Sequence, residues 1–366
     1  HKVNNGGLKV CILVEKLSGG GAERSAAILS YMFAGMGHEV HMVSITDDIE
    51  YEHAGTLFNL GKFKNKMNGP LNKLKRLYIY QNYLKKQHFD YVLDFRFRQK
   101  LIKEKILARF LYTNVNVVYM VRSSNLAYYF PKKKKQSQRL FEKAHAVAVQ
   151  TEAIKTKIEE KYKLKNIVVI PNALDFDEVN QLKNQVLDVD FKYILAAGGM
   201  QNDTKQFDKL IEAYSRTSLP QKGIKLIILG RGQLMESYKA HAVFCGVDEH
   251  VIFEGFAMNP FKYYTNCLYF VHCSKFEGFP MVILEALATG TAVIALDCPT
   301  GPAEMIADGE NGILLPQNDF DALQHAMDTL VQDEAQRKTL AIRATDSVKK
   351  YSIEKVAQQW QELFER

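Results

Sequence analysis

Cysteine is scarce in this sequence and is never arranged as a framework. Cys11, Cys245, Cys267, Cys273 and Cys298 form an odd set without a C-x-x-C pair. That argues against a disulfide scaffold or a cysteine-built zinc site and fits a reducing compartment. The histidines also lack the spacing of metal ligands. No apolar run approaches the roughly 18–20 residues that a membrane span needs, and the run at 10–14 is too short for the core of a secretion signal. Repeats at solenoid spacing are missing, and low complexity is confined to the four lysines at 132–135. No nucleic-acid-binding module is recognisable. These absences point to a cytoplasmic protein, preceded by a polar, glycine-ending lead over residues 1–7.

What is present suits two domains. A length of 366 residues exceeds one comfortable core, and 47% apolar with 24% charged residues is the balance of a globular protein. The net charge of +7 conceals an asymmetry. Up to Pro171 there are thirty Lys and Arg against fourteen Asp and Glu, a balance of +16, and the remainder carries −9. Halves of opposite sign suggest domains with different partners.

Each half repeats one rhythm: a short β-branched apolar run, a turn with glycine or a cap residue, then a helical stretch. Strands are predicted at 8–14, 39–45, 90–95, 116–121, 146–150 and 166–170, and again at 192–198, 224–230, 251–255, 268–273, 291–296 and 311–316. Apolar strands alternating with helices predict two parallel sheets covered on both faces, that is, two doubly wound Rossmann-like α/β domains. The first domain is expected at 8–171 and the second at 191–350. An acidic linker at 172–190 separates them, and a final helix at 351–366 is expected to pack back on the first domain. Ligands in such folds sit beyond the C-terminal strand ends.

The densest chemical signal is KFEGFPMVILEALATG. Phe276, Glu277, Gly278 and Phe279 follow a strand, and Pro280 suits the first position of a helix. Free amides near Met281 and Val282, with the positive end of the helix dipole, suit a diphosphate. Glu285, roughly 7 Å further along the helix axis, suits a ribose, and Glu277 suits the hydroxyls of a sugar beyond the diphosphate.

The spacing of Glu277 and Glu285 resembles the E-x7-E signature of retaining GT-B glycosyltransferases, particularly family 4 of the glycosyltransferase classification. The stretch ALDCPTGPAEMIADGENGILLP that follows is similar to the end of that family's donor domain, and the resemblance runs from about Leu8 to Leu363. It implies two Rossmann-like domains facing across a cleft, a nucleotide-sugar donor, and retention at the anomeric carbon. It also implies roles for further residues. The loop holding Gly19, Gly20 and Gly21 would face the donor diphosphate. Lys205 matches a phosphate-binding lysine, whereas Gly199 stands where the family usually has arginine, a charge that Arg231 could restore. Arg122 or Ser123 stands where many relatives carry a histidine. Glu277, Lys205 and Arg122 are therefore the candidate catalytic residues. Gly19, Gly20, Gly21, Gly199, Arg231, Gly278, Phe279, Pro280, Met281, Val282 and Glu285 are the candidate donor-binding set.

No metal or other cofactor is expected. The D-x-D strings Asp175-Phe176-Asp177 and Asp188-Val189-Asp190 fall in the linker rather than at a donor-domain strand end. Basic segments at 60–86, 96–105 and 128–136 interleave Lys and Arg with Tyr and Phe. They suit an anionic membrane surface or a polyanionic glycan, and no nucleic acid is expected as a partner. The expected reaction moves a hexose or N-acetylhexosamine, preferably from a UDP-sugar, to a glycan or lipid-linked acceptor during cell-surface polysaccharide, lipopolysaccharide or glycolipid synthesis. The expected location is the cytoplasm, at the inner face of the membrane. A nucleotide-sugar epimerase on the same fold and a non-catalytic nucleotide or polysaccharide binder are the competing readings.

Overall fold

The computed structural model describes residues 6–366, so most of the polar lead at 1–7 lies outside the described residues. The chain divides into two compact units. One runs up to Asn172 and adds Glu354–Arg366; the other is Ala173–Ile353.

The first unit contains β1 (Lys9–Val14), β2 (Glu39–Ser44), β3 (Thr56–Asn59), β4 (Tyr91–Asp94), β5 (Asn116–Met120), β6 (Ala146–Val149) and β7 (Ile167–Val169). Among the described residues they form one parallel sheet in the order β3-β2-β1-β4-β5-β6-β7. The sequence reading missed β3. It is a four-residue edge strand with only two apolar residues, Leu57 and Phe58, both partly covered, so it carries no continuous apolar signal. The helix Ile353–Phe364 belongs to this unit and buries Val356, Trp360, Leu363 and Phe364. Trp360 meets Phe33 edge-on at 5.3 Å, and Tyr91 donates to the Phe364 carbonyl at 2.7 Å. Each large apolar side chain buried this way contributes about 2 kcal/mol.

The second unit contains β8 (Tyr193–Ala197), β9 (Lys225–Leu229), β10 (Val251–Gly255), β11 (Phe270–His272), β12 (Val293–Leu296) and β13 (Ile313–Leu315). Its parallel sheet has the order β10-β9-β8-β11-β12-β13. The fold class is thus the one expected, two doubly wound Rossmann-like units. The segment expected to be a linker holds a helix, Phe176–Leu182. The Asp175 carboxylate caps it by accepting from the amides of Asp177 and Glu178, both at 3.1 Å. The first D-x-D string therefore serves a helix end.

In both sheets the strand order reverses beside the first strand. β1 lies between β2 and β4, and β8 lies between β9 and β11. A crevice opens at the C-terminal strand ends of such a switch point. In the second unit it is framed by the loop after β8 and the loop after β11.

Candidate active site

Those two loops are tied together. Gln206, in the left-handed region at φ 53°, donates to the Cys273 carbonyl at 2.9 Å and to Asn318 at 3.1 Å. The Lys275 amide donates to the Thr204 carbonyl at 2.8 Å. Lys205 is thereby held opposite Glu277, and its ammonium hydrogen-bonds to Glu277 Oε1. Ser274 Oγ donates to the same oxygen at 2.8 Å, and His272 Nε2 lies 3.1 Å from it. All three contacts fall on Oε1.

The electrostatics follow from burial and charge. Burial by itself would raise the Glu277 pKa, but the Lys205 charge, followed by the His272 hydrogen bond, holds it well below the usual carboxylate range. Burial pushes His272 below its ordinary value, which makes it a neutral donor at pH 7. Its Nδ1 is buried without a partner, so the proton belongs on Nε2, facing Glu277. The sign of the pH dependence follows. Below about pH 6.5 the unfolded chain takes up a proton that folded His272 refuses, so stability declines from there toward the lower folded value. Replacing His272 with Gln should flatten that part of the stability–pH curve, as followed by thermal melts between pH 8 and 5.

His272 and Ser274 were not among the sequence-predicted residues. The available signal was position: a histidine at the C-terminal end of a fully buried strand, next to the switch point.

The helix Met281–Ala288 buries Ile283, Leu284, Ala286, Leu287 and Ala288, so its one carboxylate, Glu285, needs a polar partner. Tyr264 supplies one, donating to Glu285 Oε2 at 3.1 Å. Burial and the neighbouring Glu285 drive the Tyr264 phenol well above its ordinary pKa, which keeps it a donor. The helix starts at Met281, and Pro280 precedes it as the cap residue, one position before the place expected from sequence. No side chain caps the helix, so the amides after Pro280 lack a side-chain acceptor from that residue. Phe279 is buried against Tyr351. Behind this loop, Thr300 Oγ1 donates to the Gly278 carbonyl at 3.0 Å, and the Glu277 amide donates to the Pro299 carbonyl at 2.7 Å. Gly301 (φ 111°) lies so close that a Cβ would come within 2.3 Å of Pro280 Cδ.

Gly199 lies in the loop after β8, and Arg231 lies in the loop after β9. The Met200 amide donates to the Arg231 carbonyl at 2.9 Å, and a Cβ on Gly230 would reach 1.9 Å from the Gly198 oxygen. The Arg231 guanidinium lies over the Phe256 ring at 5.1 Å.

The remaining predicted residues are in the first unit. Gly19 and Gly20 lie between β1 and the helix Gly21–Gly35, which Gly21 begins and for which Gly20, the cap residue, supplies no side-chain cap. Arg122 follows β5. Its guanidinium packs over the Phe95 ring at 5.2 Å, its Nε is buried without a hydrogen-bond partner, and burial lowers its pKa to about 10.

Family comparisons agree with this architecture. Residues 19–178 match the model described as Glycosyltransferase Family 4, and residues 177–347 match that of Glycosyl transferases group 1. The chain is a glycosyltransferase of the GT-B fold. It is 26% identical to the N-acetylgalactosamine-N,N'-diacetylbacillosaminyl-diphospho-undecaprenol 4-alpha-N-acetylgalactosaminyltransferase of Campylobacter jejuni, over 95% of this chain and 97% of that one. It is 24% identical to the amylovoran biosynthesis glycosyltransferase AmsD of Erwinia amylovora, over 97% and 99%. Among solved structures, an S. aureus TarM variant in complex with fondaparinux, α-GlcNAc-glycerol and UDP matches with a TM-score of 0.77 at 15% identity, over 98% of this chain and all of that one. Anabaena HepE with UDP and glucose also gives 0.77, at 17% identity, over 98% and 99%.

Proposed function

We propose that this enzyme is a retaining glycosyltransferase that takes a hexose or N-acetylhexosamine from a UDP-sugar and passes it to a lipid-linked or glycan acceptor of a cell-surface polymer. The observation that carries the reading is the joining of Lys205, Glu277 and His272 at the switch point of the second unit. Lys205 and the amides after Pro280, with Arg231 as a second positive charge, neutralise the leaving diphosphate without a metal. Glu277 Oε1 is occupied by protein donors, which leaves Oε2 for a hydroxyl of the donor sugar. Glu285, oriented by Tyr264, accepts from the ribose. In the first unit, the glycine loop at 19–21 is assigned to the donor diphosphate and Arg122 to the reacting centre.

In the reaction the bond from C1 to the diphosphate oxygen breaks, and the acceptor oxygen bonds to C1 on the same face. The hydroxyl proton passes to the departing diphosphate, giving a glycoside and UDP. Protein groups act through charge stabilisation and positioning. The alpha linkage in the Campylobacter enzyme's name is compatible with retention from an alpha-linked donor. Its diphospho-undecaprenol substrate supports a lipid-linked acceptor.

Incubation with UDP-, GDP- and ADP-sugars, with and without diphospho-polyprenol glycans, tests the reading. Acceptor-dependent release of UDP and an alpha-anomeric product signal by NMR are expected. Donor conversion without acceptor would instead favour an epimerase, and donor binding with no turnover would sink the enzymatic reading. A Tyr264→Phe variant should raise KM for the donor about fivefold with little change in kcat, since one oriented hydrogen bond is worth about 1 kcal/mol. Steady-state kinetics at varied donor concentration checks this.

A further inference from the structure

The first unit carries two neighbouring helices that each turn an apolar stripe outward. In the helix Pro70–Gln87, Leu71, Leu74 and Tyr78 recur at helical spacing and are exposed, Leu71 by 84%. In the helix Leu101–Leu111, Ile102, Ile106 and Phe110 do the same, Ile102 by 75%. The helices lie side by side. Gln81, one turn beyond Tyr78, donates from Nε2 to the Phe110 carbonyl at 2.9 Å. The first stripe thus runs on into Gln81, which meets the last residue of the second, so neighbouring helices carry the six exposed side chains. Aliphatic and aromatic groups grouped in this way mark an interaction surface.

The surrounding charge identifies what covers it. Residues 60–86 contain no Asp or Glu, and Lys73, Lys75, Lys85 and Lys86 are exposed on the first helix. Lys103, Lys105 and Arg109 are exposed on the second. Its one acid, Glu104, is buried and bonded to Arg96 at 2.9 Å. A face that is basic and apolar, without an exposed acid on either helix, repels a second copy of itself. It is complementary to an anionic bilayer, whose phosphates meet the lysines while its acyl region takes the leucines and isoleucines. Nucleic acid would match the charge and leave the aliphatic stripe unused.

We infer that the exposed stripes of these two neighbouring helices form a membrane-docking surface that inserts Leu71, Leu74, Ile102 and Ile106 into the headgroup boundary of an anionic bilayer. This deepens the lipid-linked acceptor reading, since docking would bring the enzyme to that acceptor, but it is testable without it. The full chain is sedimented with vesicles of phosphatidylcholine alone or with phosphatidylglycerol added. Binding is expected only with the anionic lipid, and the Leu74→Glu, Ile106→Glu double variant should lose it by at least about tenfold, the loss expected for withdrawing two aliphatic side chains from the bilayer. The Leu74→Ile, Ile106→Leu variant should keep it, and unchanged melting temperatures should show that both variants fold.

Three results would overturn the inference. Vesicle binding by the double glutamate variant equal to that of the parent would remove the insertion. Binding of single-stranded nucleic acid in preference to vesicles would reassign the face, as would a dimer in solution that the glutamates dissolve. Transfer to a water-soluble acceptor is measured in parallel. Its loss in the parent protein would count against the proposed reaction and leave the docking result standing.

Discussion

Replacing Lys205 with methionine should lower kcat by about a thousandfold, roughly 4 kcal/mol of transition-state stabilisation, as expected when a preorganised charge is withdrawn from a developing anion. The second consequence is structural. Glu277 is 12% exposed and Lys205 20%, so the variant leaves a buried carboxylate with weakened compensation, at a cost of about 3 kcal/mol. His272 offers partial relief. The Lys205 charge is one of the influences that depress it, so its pKa should rise in the variant and bring a proton to Glu277. Imidazole NMR signals titrating at higher pH than in the parent would confirm this. A variant that keeps its parent's kcat would remove Lys205 from the reaction.

Glu277→Gln is the second large effect. The substitution keeps the shape and removes the charge, so Lys205 loses its partner and the donor-sugar hydroxyl loses an ionised acceptor. A fall in kcat of at least about a hundredfold is expected, on the scale of one charged contact at a reacting group. Stability should change in a pH-dependent way. The folded carboxylate titrates well below its unfolded value, so the ionised group stabilises the parent at neutral pH, and this contribution disappears as pH falls through that low folded value. Denaturant melts of the variant should lack that acid limb. The two substitutions should also couple. Once Lys205 is methionine, Glu277→Gln removes an uncompensated charge, so the double variant should be more stable than the sum of the single losses by more than about 1 kcal/mol. Simple additivity would mean that the pair does not act as a unit.

The sequence was informative wherever the chemistry is local. Period and composition revealed two parallel sheets, because strands covered on both faces read as continuous apolar runs. The loop from Phe276 to Pro280 and the lysine at 205 were legible because glycine, proline and charged residues punctuate them. It was least legible where short elements gain their stability from neighbours. The edge strand Thr56–Asn59 and the helix Phe176–Leu182 have too few residues for a period to emerge. The His272–Ser274–Glu277 cluster was hidden for another reason. A histidine inside an apolar strand reads as core until the strand's position beside β8 is known.

What the sequence determined by itself was the residue types and their spacing: two carboxylates eight positions apart on a loop and a helix, a lysine after a strand, and a strongly basic first half. Only the tertiary structure decided which groups share an atom. Parallel strands adjacent in the sheet can lie far apart along the chain, and that adjacency places Lys205 on the carboxylate 72 residues later. The same holds for the two outward stripes. Each is visible as a helical period, but their being neighbours requires the packing that sets Gln81 against Phe110.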